Sequence, residues 1–162
     1  MLNLRQVNMN KEKVYGIDFG TTYTEVGYVG KDGRPNILKT PSGSRKLRSA
    51  VWFRNGQGAK FGDSAARAAP VHPNHVLKNF KPEMDKADTS FSVDGRKLKP
   101  VEVAKLFYSH VKDQIEENTG QKAERAVITV PAFFGDVGYQ VFKKGAEEAG
   151  LKVERILREP AS

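Results

Sequence analysis

The chain has 162 residues, 27 of them lysine or arginine and 19 aspartate or glutamate, for a formal charge of +8. It contains no cysteine, which excludes disulfides and cysteine-held zinc. No run reaches the ~20 apolar residues a membrane helix needs, and the opening MLNLRQVNMNKEK lacks the apolar centre of a signal peptide. A soluble cytoplasmic protein with no membrane partner is therefore expected. The basic residues are spread along the chain rather than clustered beside aromatics, so they read as a solvated face or an attraction to polyphosphate, with no nucleic-acid partner.

In chain order, residues 1–12 are polar and aperiodic and read as a disordered tail or cloning remnant. Residues 14–18 form a short apolar strand, and 24–29 begin a second run rich in β-branched and aromatic residues. Gly20 lets the backbone bend between them, so that the N–H groups of Thr21, Thr22 and Tyr23 converge on an anion as successive amides do in a nest. Asp18, at the end of the first strand, is placed to hold a hydrated magnesium ion beside such phosphates. Taken alone, the segment reads equally well as an ordinary hairpin with a polar turn. A third strand over 36–40 follows Lys31-Asp32-Gly33-Arg34, whose Asp-Gly pair signals a hairpin, and completes an antiparallel meander.

Residues 41–48 read as a loop leaving that sheet. Short strand candidates at 49–54, 59–62, 91–93 and 97–99, interrupted by the helix-prone 63–69, predict a small inserted α+β subdomain over 41–99. His72 and His75 lie near Pro70 and Pro73, share no metal spacing with His110, and are expected to face solvent. The stretch from Pro73 to Lys81 offers two lysines, Lys78 and Lys81, which by themselves read as surface charges.

From Pro100 the period changes. Pro100 suits a first helical turn, and Val103, Phe107, Val111 and Ile115 recur every four residues with Leu106 beside them until Asn118-Thr119-Gly120 ends the helix. That stripe is core. A buried strand over 126–130 runs into Pro131. Asp136 is expected to cap a second helix whose Val137, Val141 and Phe142 face inward and which ends at Gly150. A last strand over 153–157 precedes Glu159, which alone reads as an exposed strand-end carboxylate.

Three segments in this order, GIDFGTT (16–22), ITVPAFF (128–134) and REPAS (158–162), give a specific resemblance to the DnaK-type heat-shock chaperones, the seventy-kilodalton class within the actin-like ATPase superfamily. It extends from about residue 13 to 162 and is weakest over 45–99. The resemblance implies an α/β fold: a ribonuclease-H-like mixed sheet with helices over 13–40 and 100–162, forming lobe I together with the inserted 41–99. It implies ATP or ADP with magnesium, bound by Gly20, Thr21, Thr22 and Tyr23, with Asp18 reaching the metal through water. Lys81, directly after the aromatic Phe80, matches the catalytic lysine that stabilises the γ-phosphate and the attacking water, with Lys78 as the alternative. Glu159 matches a glutamate near magnesium and that water. Pro131 matches a conformational switch, whose companion arginine is replaced here by Tyr139.

The resemblance further implies a parent protein that assists folding in the stress response, with a second lobe and a peptide-binding domain absent through truncation. Its partners would be unfolded client polypeptides and co-chaperones, and this half of the site alone would turn over little ATP. Glu159-Pro160-Ala161-Ser162 in place of Glu-Pro-Thr-Ala, and Phe133-Phe134-Gly135-Asp136 in place of aromatic-Phe-Asn-Asp, mark an outlying member. Two other classes stay open: a nucleotide-binding regulatory or exchange-factor-like relative, and another superfamily enzyme such as a sugar kinase, against which ITVPAFF followed by REPAS argues.

Overall fold

The structure is a computed structural model that describes residues 13–40 and 42–160. The expected tail over 1–12 lies outside the described residues.

Strand β1 (Val14–Phe19) alternates cleanly, with Tyr15, Ile17 and Phe19 buried and Val14, Gly16 and Asp18 on the other face. It pairs antiparallel with β2 (Tyr23–Val29), Ile17 opposite Val26 and Asp18 opposite Glu25. The next turn is closed by Gly33 N–H donating to the Gly30 carbonyl at 3.0 Å, and β3 (Pro35–Ile37) completes the meander. The third strand is shorter than expected, and its ladder ends with Leu38 N–H donating to the Val26 carbonyl at 2.8 Å. Residues 41–48 are not wholly loop: β4 (Leu47–Arg48) pairs with the start of β2, a two-residue strand too short to show a period.

Residues 50–98 build two smaller sheets. Strands β5 (Ala50–Phe53), β6 (Ala59–Phe61) and β7 (Val76–Lys78) form one in the order β6-β5-β7, with α1 (Asp63–Ala68) packed on it. Strand β7 escaped the sequence reading because its three residues follow a tight 3-10 turn, Pro73–His75. A second 3-10 turn, Lys81–Asp85, carries the chain back toward the large sheet. Strands β8 (Phe91–Val93) and β9 (Arg96–Leu98) form a separate hairpin, turned at Asp94 and Gly95 with φ of 53° and 70°. His75 does not simply face solvent: its Nδ1 lies 2.7 Å from Asp94 Oδ1 and it is half-buried. His72 is exposed and stacks on Trp52, ring centroids 5.3 Å apart.

Helix α2 (Pro100–Thr119) opens with Lys99 N–H donating to Glu102 Oε2 at 2.7 Å and ends at Gly120, whose φ of 70° supplies the left-handed cap. Its buried stripe is Val103, Phe107, Val111 and Ile115, widened by Ala104 and Tyr108, with Leu106 half-buried. Strand β10 (Arg125–Val130) then pairs parallel with β1, and after α3 (Asp136–Glu148), β11 (Lys152–Arg158) pairs parallel with β10. The large sheet therefore runs β11-β10-β1-β2-β3, with β4 also on β2. Helices α2 and α3 lie against each other closely enough that a Cβ at Gly145 would come within 2.4 Å of Ala104 Cβ.

Two expectations for α3 are corrected. Val137 is 38% exposed, because the buried face is set by Gly138, Val141, Phe142, Gly145 and Ala146. Nor does Asp136 cap the helix: it is the first helical residue, Gly135 precedes it, and the cap comes from Asp85. The Asp85 carboxylate accepts the Gly135 N–H at 3.0 Å and the Gly138 N–H at 2.8 Å. A carboxylate at a helix N-terminus satisfies orphan donors and meets the positive end of the dipole. Asp85→Ala is therefore expected to lower the unfolding free energy by about 1–2 kcal/mol in a urea melt; an unchanged midpoint would show that water replaces the cap without loss.

Phe19 is the hub of the core between the large sheet and these helices, with ring centroids 5.2 Å from Phe107, 5.3 Å from Phe142, 5.7 Å from Tyr108 and 5.9 Å from Phe80. Among the described residues no helix is long and apolar enough to cross a membrane.

Candidate functional site

The alternation that buries Phe19 turns Asp18 outward at the C-terminal end of β1. The bend that follows is tight: Gly20 N–H donates to the Tyr23 carbonyl at 2.9 Å, and a Cβ on Gly20 would sit 2.3 Å from that oxygen. Only glycine fits there. Ser49, 3% exposed, clamps the bend from beneath. Its hydroxyl donates to the Gly20 carbonyl at 2.8 Å and lies 2.9 Å from Thr24 Oγ1, while its N–H donates to the Thr22 carbonyl at 2.9 Å. With the carbonyls of this loop engaged below, Thr21 and Thr22 are exposed, and among the described residues nothing accepts from their N–H groups. Amides held outward in this way form a ready anion cradle.

Beside the cradle, the parallel strands β1, β10 and β11 end together, the edge where open α/β sheets bind ligands. Because Ile17 is in register with Ile128, Asp18 lies next to Thr129, whose hydroxyl donates to Asp18 Oδ1 at 2.8 Å. Thr129 Oγ1 is also 3.5 Å from Glu159 Oε1. Glu159 continues the β11 ladder by one step, its N–H donating to the Val130 carbonyl at 2.8 Å.

Lys81 rises under this carboxylate pair from the turn Lys81–Asp85. It is 2% exposed, yet its Nζ donates to Glu159 Oε1 at 3.1 Å. The ammonium also lies 5.7 Å from the centroid of the Phe142 ring and 6.0 Å from that of Phe19, within cation–π range. Burial pushes its pKa below the usual lysine value, and the charges of Glu159 and Asp18 oppose that push. Deeper still, Tyr108 has a fully buried hydroxyl with no partner among the described residues, and burial with the charge of Asp18 drives its phenol pKa up, so it stays neutral.

Lys78 lies elsewhere, exposed on β7 opposite Ala50. Tyr23 is 37% exposed beside the cradle, with Lys46 and Arg48 at 5.5 and 5.1 Å from its ring centroid. Pro131 is buried just past β10. Tyr139 is half-buried, and a guanidinium does approach it from β11: Arg158 Cζ is 6.0 Å from its ring centroid, with Nη1 donating to the Phe134 carbonyl at 2.6 Å.

The donor set suits magnesium. Asp18 and Glu159 offer hard carboxylate oxygens at one edge, while no group of three or more His, Cys, Asp or Glu side chains among the described residues could cage a metal. Magnesium is commonly held this way, through one or two carboxylates with water and phosphate oxygens completing the shell.

The sequence reading did not single out Thr129, Ser49 or Asp85. For Thr129 a signal existed, since alternation in Ile128-Thr129-Val130 turns its hydroxyl to the face opposite the two buried residues. Ser49 acts through partners 25 to 29 positions away and Asp85 through partners 50 and 53 positions away, which no local pattern encodes.

The family model described as Hsp70 protein matches this chain over residues 14–87 and 81–162.

Proposed function

The chain belongs to the Hsp70 family, and we propose that it forms lobe I of that family's chaperone ATPase domain, with a ribonuclease-H-like sheet over 13–40 and 100–162 and a small subdomain over 41–99. The sugar-kinase alternative is set aside by that membership. Domains of this family bind ATP or ADP with magnesium in general.

In this reading the Gly20, Thr21, Thr22 and Tyr23 backbone cradles the terminal phosphates. Asp18, its carboxylate oriented by Thr129, would hold magnesium through a water. Glu159 orients the attacking water, and Lys81 stabilises charge that develops on the γ-phosphoryl oxygens. Phosphoryl transfer asks little covalent chemistry of a protein, so placement and fixed charge do the work. Bound magnesium supplies neutralisation of the phosphate oxygens. Pro131 is the proposed switch, and Arg158, whose guanidinium lies over Tyr139, is proposed as its companion. This lobe provides one wall of the site, so the chain alone is expected to turn over near background. Cytoplasmic folding of client polypeptides with co-chaperones is proposed for the complete protein.

One observation carries the reading. Lys81 is buried among aromatic rings, yet its ammonium opens onto the same oxygen cluster as Asp18 and Glu159. A surface charge would not be buried at such desolvation cost. Asp18→Asn, in the protein carrying both lobes, is expected to weaken ATP binding about tenfold with magnesium and little without it, by titration calorimetry. Equal affinity to the native protein in magnesium would remove Asp18 from the metal site.

A further inference from the structure

A cleft of about 310 Å³ opens between β4, the start of α1 and the middle of α2, with none of Asp18, Lys81, Thr129 or Glu159 in its lining. Lys46, Arg48 and Arg67 line it, with Asp63 as the one carboxylate. Asp63 lies 3.6 Å from Arg48 Nε, and among the described residues no carboxylate is within ion-pair distance of Lys46 or Arg67. The positive excess is therefore not neutralised within the protein. Lys46 and Arg48 both lie against the ring of Tyr23, at 5.5 and 5.1 Å from its centroid. On the opposite wall, His110 is fixed flat against Phe61, ring centroids 4.1 Å apart at 7°, and the side chain of Gln114 lines the cleft beside it.

Concave walls of one sign concentrate positive potential, and a guanidinium matches the spacing of phosphate oxygens. We propose that this cleft is a second anion site, distinct from the Gly20–Tyr23 cradle, that takes a small ligand bearing a phosphoryl group. Lys46 and Arg67 supply charge, Arg48 supplies a two-pronged donor after giving up its long contact to Asp63, and the imidazole of His110 and amide of Gln114 form the polar floor. The volume suits a group of pyrophosphate to small sugar-phosphate size. Tyr23 and the Ser49 clamp, next in sequence to Arg48, make this cleft a neighbour of the cradle, so filling it draws cations away from the loop that holds nucleotide.

The test is an NMR titration of the protein with inorganic pyrophosphate in the absence of magnesium, following the His110 ring Cε1–H and the Gln114 side-chain amide. Sodium chloride at matched ionic strength is the control. Saturable shifts at both groups are expected with pyrophosphate and not with chloride. In Lys46→Gln/Arg67→Gln, two exposed positions whose exchange should leave the melting temperature unchanged, binding should weaken at least tenfold. The backbone amides of 21–23 report the cradle independently, so failure there and failure here are separate results. Shifts that grow without saturation, match chloride, or survive the double substitution at full affinity would overturn the second site.

Discussion

Lys81→Ala is expected to slow single-turnover ATP hydrolysis about 10²–10³-fold in the protein carrying both lobes, with nucleotide affinity changed by less than about threefold. Lys78→Ala should leave the rate as it is, because Lys78 is exposed on β7 and lies outside the site. The magnitude follows from where the charge sits. An ammonium 2% exposed, already desolvated and held 3.1 Å from Glu159, needs no reorganisation when negative charge builds on the phosphoryl oxygens. A loss confined to the rate is the signature of an interaction made in the transition state, whereas a matched loss of binding would assign Lys81 to ground-state nucleotide contact.

The same residue should lower stability. Burial holds the pKa of folded Lys81 below 10.5, while the unfolded chain titrates near that ordinary value. Between the two values the unfolded state binds more protons, so the stability contributed by this group rises with pH through that interval and is smallest below it. Lys81→Met keeps an unbranched chain against Phe19 and Phe142 without the charge. It should melt no lower than the native protein, lose this slope with pH, and still fail in hydrolysis.

The second large effect is on folding. Phe142→Ala is expected to lower the unfolding free energy by about 3–5 kcal/mol in a urea melt, the range for deleting a fully enclosed phenyl ring. Phe142 is 0% exposed, lies 5.3 Å from Phe19 at an interplanar angle of 15°, and meets Phe134 edge-on at 5.2 Å. The hole would open directly beside the Lys81 ammonium, which loses one of its two aromatic neighbours. Phe133 is the control: at 63% exposed, its alanine variant should stay within about 0.5 kcal/mol of the native protein. Equal losses at the two positions would mean that α3 does not pack on the sheet through Phe142.

How much of this was legible in the sequence depended on the range of each interaction. The meander and α2 were readable because their signals are local: alternation in Tyr15-Gly16-Ile17, an Asp-Gly turn, and a four-residue period from Val103 to Ile115. Strands β4 and β7, of two and three residues, carry no period and exist because β2 and β5 offer them partners. The α3 cap was misassigned for a related reason. Asp136 stands where a local rule looks for a cap, but Asp85 reaches the helix from a turn 50 positions earlier. At the site, Asp18 and Gly20 follow from strand, bend and glycine. The family resemblance singled out Lys81, directly after Phe80 and at the family position counted from Pro73, and what it could not supply was the burial of this lysine under Glu159, which depends on three strands ending at one edge.

The most direct measurement is a crystal structure of the protein carrying both lobes with ADP, magnesium and an aluminium fluoride mimic of the γ-phosphoryl group. The account predicts the mimic within about 3 Å of Lys81 Nζ and of the amides at 21–23, with Asp18 reaching the metal through a water. A mimic bound away from this edge, with Lys81 paired to Glu159 alone, would contradict it.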